Sequence, residues 1–153
     1  MLEHIPLFIP LLMESYNIDD SIERFVVAQD ALLDYNIALD EIKAGRKSSH
    51  WIWYIFPQLR GLGYSRMSHY FGIRDRAEAE AYLSHPVLGP RLREITAALL
   101  AHKDQSPARI LGEIDASKVR SCMTLFDSIA PGDIFAEVLD SMYGGQRDPR
   151  STV

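Results

Sequence analysis

Basic and aromatic side chains are concentrated in one acid-free stretch of the chain, residues 46–70. Six cationic or imidazole side chains and both tryptophans lie there, although the whole chain carries a net charge of −5. Cations bind anionic groups, and aromatic faces stack on planar rings. The composition therefore predicts a site for a nucleotide, a sugar phosphate or the end of a nucleic acid. The alternative is that the rings belong to the core and the cations are solvated beside it.

Individual residues of this stretch suit different parts of such a ligand. We expect Arg60 and Lys47 to hold a phosphate, because a guanidinium fork binds oxyanions in a bidentate manner. Trp51 or Tyr54 is expected to stack on the ring of the ligand. His50 is the candidate catalytic residue, because its imidazole titrates near neutral pH. Outside these five positions, the stretch also offers the guanidinium of Arg66 as a ligand-binding cation.

A glycine-rich turn, GLGYS, lies within the stretch at residues 61–65. Ser65 is expected to begin a short helix, and the backbone N–H groups at such a start attract anions. The chain contains no GxxxxGK[ST] motif, and GxGxxG is absent because position 66 is Arg66. The pattern predicts either an anion contact or a plain turn.

Four hydroxyl side chains recur at spacings of four, three and four residues in a later predicted helix. They are Ser117, Ser121, Thr124 and Ser128. The spacing places them on one helical stripe, opposite the apolar face. This stripe is either a solvated face or the wall of a pocket, in which Ser121 and Thr124 would bind the ligand. Cys122 falls on the apolar face, where we expect it to be buried and unreactive.

Metal and nucleic-acid chemistry receive little support from the residue counts. No two of the five histidines have the spacing of metal ligands, and the chain has a single cysteine. We therefore predict no metal site and no cofactor. One cysteine fits a reducing compartment, so we expect a cytoplasmic protein. The net charge of −5 argues against a generally basic surface for nucleic acid.

The length of 153 residues predicts one domain. The first 13 residues are apolar, but Pro6 and Pro10 interrupt them and the run is too short to span a bilayer. They also lack the basic start and the small-residue cleavage site of a secretory signal. We interpret residues 1–18 as an N-terminal extension and residues 19–150 as a single helical domain, and we expect no membrane association.

Apolar periodicity predicts an all-α fold of six to eight short helices. Ser21 and the two aspartates before it are expected to cap the first helix. Asp30 either caps a second helix, with Leu32 on its apolar stripe, or marks a bend in the first. Residues 46–56 fit a buried strand or a buried helix, and the polar C-terminal tail is expected to fray. Further helices are predicted over 65–71, 76–85, 88–99, 115–129 and 134–142.

The motif SHWIWYIFPQLRG at residues 49–61 resembles a bacterial family known as the domain of unknown function 1810. The resemblance extends over residues 22–150 and implies a compact, all-helical fold with no settled activity. The calpastatin-like label sometimes given to the family fits poorly, because calpastatin inhibitory segments are disordered. The matching stretches are RFVVAQD at 24–30, AGRKSSHWIWYIFPQLRGLGYSRMS at 44–68, YFGIRDRAEAEAYLSHPVLGPRL at 70–92, ILGEIDASKVRSCMTLFDSI at 110–129 and FAEVLDSMYGGQRD at 135–148.

The resemblance adds two residues to the predicted ligand site, Gln58 and Gly61. The family is also distantly similar to helical ADP-ribose-linked N-glycosidases and NAD-related proteins, which implies a nucleotide-like anion as ligand. Ile52 and Cys122 stand where many members are expected to carry Met and Ser, and both changes are mild. The motif residues that stand in place here are Lys47, His50, Trp51, Gln58, Arg60, Gly61, Ser65, Ser121 and Thr124.

Two hypotheses of different classes follow. The first is a small helical enzyme or binding domain that acts on a nucleotide-like anionic ligand of the ADP-ribose or NAD type. Whether it catalyses a reaction stays open. The second is a non-enzymatic protein-interaction module, because Trp, Tyr and Arg dominate binding hot spots. A homodimer is compatible with both, and nucleic-acid binding ranks below them.

Overall fold

The computed structural model describes residues 20–153, and within this range the chain is all-helical. The predicted fold class is therefore confirmed. The predicted extension at residues 1–18 lies outside the described residues. The α-helices are α1 Glu23–Asp30, α2 Asp34–Lys43, α3 Ile52–Ile55, α4 Arg66–Tyr70, α5 Arg76–Ser84, α6 Leu88–Leu100, α7 Pro107–Leu111, α8 Glu113–Ile129 and α9 Ile134–Met142. Two 3-10 turns, Ala31–Leu33 and Pro149–Ser151, complete the elements.

Two consecutive leucines in left-handed backbone separate α1 from α2. Leu32 has φ of 52° and Leu33 has φ of 59°, and Leu33 occupies the position before the first turn of α2. The prediction that Asp30 caps a second helix is therefore wrong, as is the place of Leu32 on a buried stripe. Leu32 is 70% exposed, because the left-handed break turns this segment away from the core. Ser21 does serve the start of α1, where its hydroxyl accepts from the backbone N–H of Glu23 at 3.2 Å.

The aromatic segment that suited either a strand or a helix forms the single-turn helix α3. All of its residues are buried, as are the flanking Trp51 and Phe56. Removing such large rings from water contributes strongly to stability, at roughly 25 cal/mol per Å² of apolar surface. The segment therefore belongs to the hydrophobic core. The cations of the 46–70 stretch lie before and after it in the chain.

Helix α8 is the central element of the domain, because it packs against α5, α7, α9 and the C-terminal 3-10 turn. Its apolar face is buried as predicted, and Cys122 lies within it. Burial raises the pKa of the Cys122 thiol well above its usual value. The prediction that Asp115 caps this helix is wrong, because the helix begins at Glu113 and Asp115 lies in its first turn. The φ of 82° at Gly112, the residue before Glu113, allows the sharp turn out of α7.

The C-terminal tail is packed against α8, which contradicts the expectation that it frays. Asp148 and Ser151 are both buried, and the 3-10 turn begins with Pro149 directly after Asp148. The tail is held because polar side chains of α8 satisfy its backbone and its buried carboxylate. Within residues 20–153, no helix is both long enough and apolar enough to cross a bilayer.

Candidate functional site

A cleft of about 400 Å³ lies between one face of α8, the segment after Pro57 and the C-terminal tail. Its α8 wall is formed by residues that recur at helical spacing. The opposite wall is the glycine-rich turn, and the tail contributes a single guanidinium. The lining residues are Gln58, Leu62, Gly63, Glu113, Ile114, Ser117, Lys118, Ser121 and Arg150. We call this site the α8 cleft.

Short backbone bonds to the segment before α5 position the wall that carries Gln58. The N–H of Ile73 donates to the carbonyl of Gln58, and the N–H of Arg60 donates to the carbonyl of Ile73, both at 2.8 Å. Only a glycine fits at position 72, because a Cβ there would lie 2.5 Å from the Cα of Arg60. The pairing holds Gln58 at the edge of the cleft.

The hydroxyl stripe of α8 divides into two halves with different partners. Ser117 and Ser121 line the cleft. Thr124 and Ser128 instead accept from the tail, the first from the N–H of Asp148 at 3.0 Å and the second from the N–H of Val153 at 3.3 Å. The prediction of a pocket wall thus describes the first half of the stripe, and the second half anchors the tail.

Asp148 is the buried charge behind the cleft. Its carboxylate accepts from the hydroxyls of Ser121 at 2.7 Å and Ser151 at 3.0 Å, and from the N–H of Arg150 at 3.1 Å. The Arg150 guanidinium adds two bonds, from Nε at 3.0 Å and from Nη2 at 3.1 Å. Burial alone would raise the pKa of Asp148, but these bonds outweigh burial and hold the pKa well below its usual value.

Arg150 connects the buried carboxylate of Asp148 with the surface of the cleft. Its side chain is 60% exposed although its carboxylate partner is only 1% exposed. Hydrogen bonds to Asp148 raise the pKa of Arg150. Tyr64 is fully exposed and follows Gly63 in the turn. The cleft therefore has a fixed guanidinium with an exposed aromatic ring nearby.

Lys118 is the second cation of the cleft, and it lies beside Trp53 with its Nζ 5.6 Å from the ring centroid. Its Nζ is 3.9 Å from the carboxylate of Asp115. The carboxylate that lines the cleft belongs to Glu113, at the first turn of α8. Cations thus face one acid, with hydroxyl and amide groups between them.

Three of the predicted ligand residues lie behind the cleft. Trp51 and Tyr54 have no exposed surface: the Trp51 Nε1 donates to Glu41 at 3.0 Å, and the Tyr54 hydroxyl donates to Asp34. Lys47 forms an ion pair with Asp115 at 2.8 Å, and its Nζ lies 4.8 Å from the Trp51 ring centroid. Trp51 and Tyr54 therefore bind to α2, and Lys47 holds the start of α8.

The other predicted residues lie in the turn and on the surface around it. Arg60 pairs with Asp20 at 2.9 Å and donates from Nε to the carbonyl of His69 at the same distance. The Ser65 hydroxyl caps α4 by accepting from the N–H of Ser68 at 3.0 Å, as predicted for a helix start. His50, Gly61 and Arg66 are exposed. Of the predicted ligand residues, the structure brings Gln58 and Ser121 together in the cleft.

Four residues of this region escaped the sequence analysis: Lys118, Arg150, Glu113 and Tyr64. The first is next to Ser117 on the predicted stripe, so helical spacing could have included it. Arg150 lies in the sequence Asp-Pro-Arg, in which an aspartate followed by proline is typical of a helix start. That signal predicts an ordered tail. In residues 20–153, no group of three His, Cys, Asp or Glu side chains is placed to hold a metal ion.

Comparison with known proteins assigns the chain to a family. The model of a family described as "Protein of unknown function (DUF1810)" matches residues 19–153. The chain belongs to this family. The resemblance read from the aromatic motif is therefore confirmed, and the matched residues include every element that forms the α8 cleft.

A solved structure of similar sequence has the same fold. The crystal structure of the conserved hypothetical protein Rv1873 from Mycobacterium tuberculosis is 42% identical, with a TM-score of 0.80. The alignment covers 84% of this chain and 91% of that one. No curated protein matches the chain. The chain is thus a helical domain of the DUF1810 family, and its fold is similar to that of the conserved hypothetical protein Rv1873.

Proposed function

We propose that this DUF1810 domain binds a small nucleotide-like anionic ligand, of the ADP-ribose or NAD type, in the α8 cleft. The observation that carries the proposal is the exposed guanidinium of Arg150, fixed by the buried carboxylate of Asp148. A side chain that is already held in place loses little conformational freedom when a ligand arrives. A purely solvated surface arginine would not need a buried, fully bonded carboxylate behind it.

The phosphate of the ligand is assigned to Arg150 and Lys118. The pair with Asp148 occupies the Nε–Nη2 edge of the guanidinium. The Nη1–Nη2 edge then remains for the oxyanion, which it binds in the bidentate manner that suits a phosphate. Lys118 adds a compact positive charge from the α8 wall. Among the residues that line the cleft, these two cations outnumber the one carboxylate, that of Glu113.

The remainder of the ligand is assigned to the polar wall and to the turn. Gln58 and Ser117 offer an amide and a hydroxyl, and Glu113 offers a carboxylate that accepts from sugar hydroxyls. Tyr64 is the aromatic group able to stack on a base, because its ring is fully exposed whereas Trp51 and Tyr54 are buried. Stacking is therefore assigned to Tyr64.

The predicted residues outside the cleft become positioning residues in this proposal. Lys47 holds the start of α8 through Asp115, and Trp51 fills the core beneath Lys47. Arg60 holds the turn through Asp20. His50 does not line the cleft, so we assign ligand binding to the cleft and no catalytic group.

Calorimetric titration with ADP-ribose, AMP and inorganic phosphate tests the proposal. We expect wild-type protein to bind ADP-ribose more tightly than phosphate, and Arg150→Gln to weaken that binding by tenfold or more, as the loss of a charged hydrogen bond implies. Tyr64→Ala should weaken ADP-ribose but not phosphate. Arg93→Gln removes the same charge from α6, where Arg93 pairs with Asp133, and serves as the control.

Two outcomes would contradict the proposal. One is that no ligand of the panel binds, and the other is that Arg150→Gln and Arg93→Gln bind ADP-ribose equally well. A His50→Ala variant in the same panel, followed for product formation by chromatography, tests the predicted catalytic role. If wild-type protein forms a product and the variant does not, His50 acts in a reaction. Equal product formation would remove that role.

The interaction-module hypothesis keeps one specific observation in its favour. Ile114 lines the cleft and is 59% exposed, and Tyr64, next to the lining Gly63 in the chain, is fully exposed, which is a surface suited to a protein contact. Sedimentation equilibrium of wild-type protein and of the Tyr64→Ser, Ile114→Ser variant tests the simplest case, a second copy of the chain. A dimer that the variant loses supports this function, and a monomer in both removes it.

A further inference from the structure

A second pocket, of about 480 Å³, lies apart from the α8 cleft and shares no lining residue with it. It forms where three segments meet: the residues after α2, the loop after α6 and helix α7. Its lining consists of Ala44, Gly45, Arg46, Gln105 and Arg109. We call it the arginine pocket.

The backbone around Gly45 brings the two arginines to the same pocket. Gly45 has φ of 76°, and an added Cβ there would lie 3.4 Å from the His102 ring, so the ring packs over this turn. His102 Nε2 lies 3.2 Å from the carbonyl of Lys43. One residue beyond Arg46, the N–H of Lys47 donates to the carbonyl of Ile110 at 2.8 Å, which ties the segment to α7. These contacts hold the two segments so that Arg46 and Arg109 line the same pocket.

Among residues 20–153, the guanidinium groups of Arg46 and Arg109 differ from most others because neither forms an ion pair with a carboxylate. Eight of the twelve arginines of the chain pair with an acidic side chain among the described residues. Within residues 20–153, neither the Arg46 nor the Arg109 side chain has such a pair or a hydrogen bond. Two guanidinium groups without a counterion in one concavity repel each other, and an anion between them would remove that cost.

The remaining lining groups also favour an anion. Among residues 20–153, no carboxylate lines the arginine pocket, and the amide of Gln105 adds a hydrogen-bond donor. Lys43, Lys103 and Asp104 lie beside the segments that form the pocket, so these neighbours add one net positive charge in a chain whose net charge is −5. We propose that the arginine pocket is a second anion site, which takes the phosphate group of a small phosphate-bearing molecule between Arg46 and Arg109.

Titration with pyrophosphate, followed by ³¹P NMR, tests this assignment. Wild-type protein should show saturable broadening or shift of the signal, and the Arg46→Gln, Arg109→Gln variant should lose at least tenfold in affinity. The matched control is Arg76→Gln, Arg93→Gln, which removes the same two charges from exposed ion pairs elsewhere. Both arginines of the pocket are exposed, so circular dichroism should find all variants folded.

The α8 cleft must be separated from this site in the same experiment. In an Arg150→Gln background, pyrophosphate binding that still depends on Arg46 and Arg109 supports the second site, whatever the fate of the proposed function. Binding that vanishes with Arg150→Gln alone, or that falls equally in the control, overturns the proposal. A single-stranded oligonucleotide that displaces pyrophosphate with higher affinity would also overturn it, by naming a different class of ligand.

Discussion

Arg24 and Asp148 are both charged and almost wholly buried, but their ion pairs end in different places. Arg24 pairs with Glu78 at 2.9 Å, and both side chains are inaccessible, at 0% and 2% exposure. Asp148 pairs with Arg150, whose guanidinium opens into the α8 cleft. We call the Arg24–Glu78 pair the closed network, because it lies wholly inside the protein. We call the Asp148–Arg150 pair the open network, because it extends from the interior to the surface.

The hydrogen bonds of the two networks explain this difference. The Arg24 guanidinium donates to the carbonyls of Tyr70 and Gly72 at 2.8 and 2.9 Å, besides both oxygens of Glu78. It therefore joins α1, α5 and the segment between α4 and α5. Asp148 is satisfied as fully, but one of its donors, the Arg150 guanidinium, is exposed. The closed pair therefore only joins parts of the fold, whereas Arg150 is also accessible from solvent.

The largest expected effect is on the closed network. Arg24→Ala leaves Glu78 buried without its main partner, and we expect the free energy of unfolding to fall by about 3–5 kcal/mol. Urea denaturation monitored by circular dichroism measures this loss. Arg76→Ala breaks an exposed i,i+4 pair with Glu80 and should cost about 0.5 kcal/mol or less. Equal losses in the two variants would mean that burial of Arg24 adds nothing.

The second prediction concerns the core of the open network. Asp148→Asn keeps the size of the side chain but replaces an acceptor of five hydrogen bonds with a neutral amide. We expect a loss of about 2 kcal/mol in the free energy of unfolding, the scale of a hydrogen bond to a charged group. Binding at the α8 cleft should weaken as well, because Arg150 is no longer held. An unchanged midpoint in urea would contradict the assignment of Asp148 as an anchor of the tail.

Acidification should reduce stability through both networks. The pKa values of Asp148 and Glu78 are lowered in the folded protein, against unfolded values of about 4. Their contribution is therefore complete above about pH 5 and is lost as the pH falls through the unfolded value toward the folded one. Urea denaturation at pH 7, 5, 4 and 3 measures the free energy of unfolding and its loss on acidification. The difference between wild type and Asp148→Asn should narrow as the pH falls, and a constant difference would argue against ionised Asp148.

The smallest expected effect on stability separates the function of the open network from its structure. Arg150→Gln removes a mostly exposed side chain but takes two charged hydrogen bonds from the buried carboxylate of Asp148, so we expect a loss of about 1 kcal/mol in the free energy of unfolding, less than for Asp148→Asn. The same variant should lose tenfold or more in ligand affinity. A loss of stability close to that of Asp148→Asn would instead make Arg150 a structural partner, and the two networks would then serve the same purpose.

Helices whose signals are local were predictable from the sequence. Asp75 caps α5 by accepting from the N–H of Glu78, and the apolar spacing of Leu88, Leu92 and Leu99 matches the buried face of α6. The break at Leu32 and Leu33 was not predictable, because leucine rarely adopts left-handed backbone and no glycine marks the turn. That conformation depends on the packing of α1 and α2 around it.

The candidate site was predictable only in part. Gln58 and Ser121 were expected and line the cleft, because one came with the motif and the other with the hydroxyl spacing. Trp51 and Tyr54 have the residue types of a ring-binding site, but burial assigns them to the core. Residue type cannot separate these roles, since a large aromatic side chain suits both a core and a ligand site.

The sequence by itself determined the helical class, the starts of α4, α5, α6 and α9 and the membership of the family, because periodicity, caps and motifs are encoded within a few residues. Tertiary structure decided which polar groups became neighbours. Asp148 accepts from Ser121 across 27 positions of the chain, and Arg46 and Arg109 line one pocket across a longer separation. Such pairings depend on how the helices pack. The physical reason is that a buried carboxylate such as Asp148 needs hydrogen-bond donors, and only the folded chain brings distant donors to it.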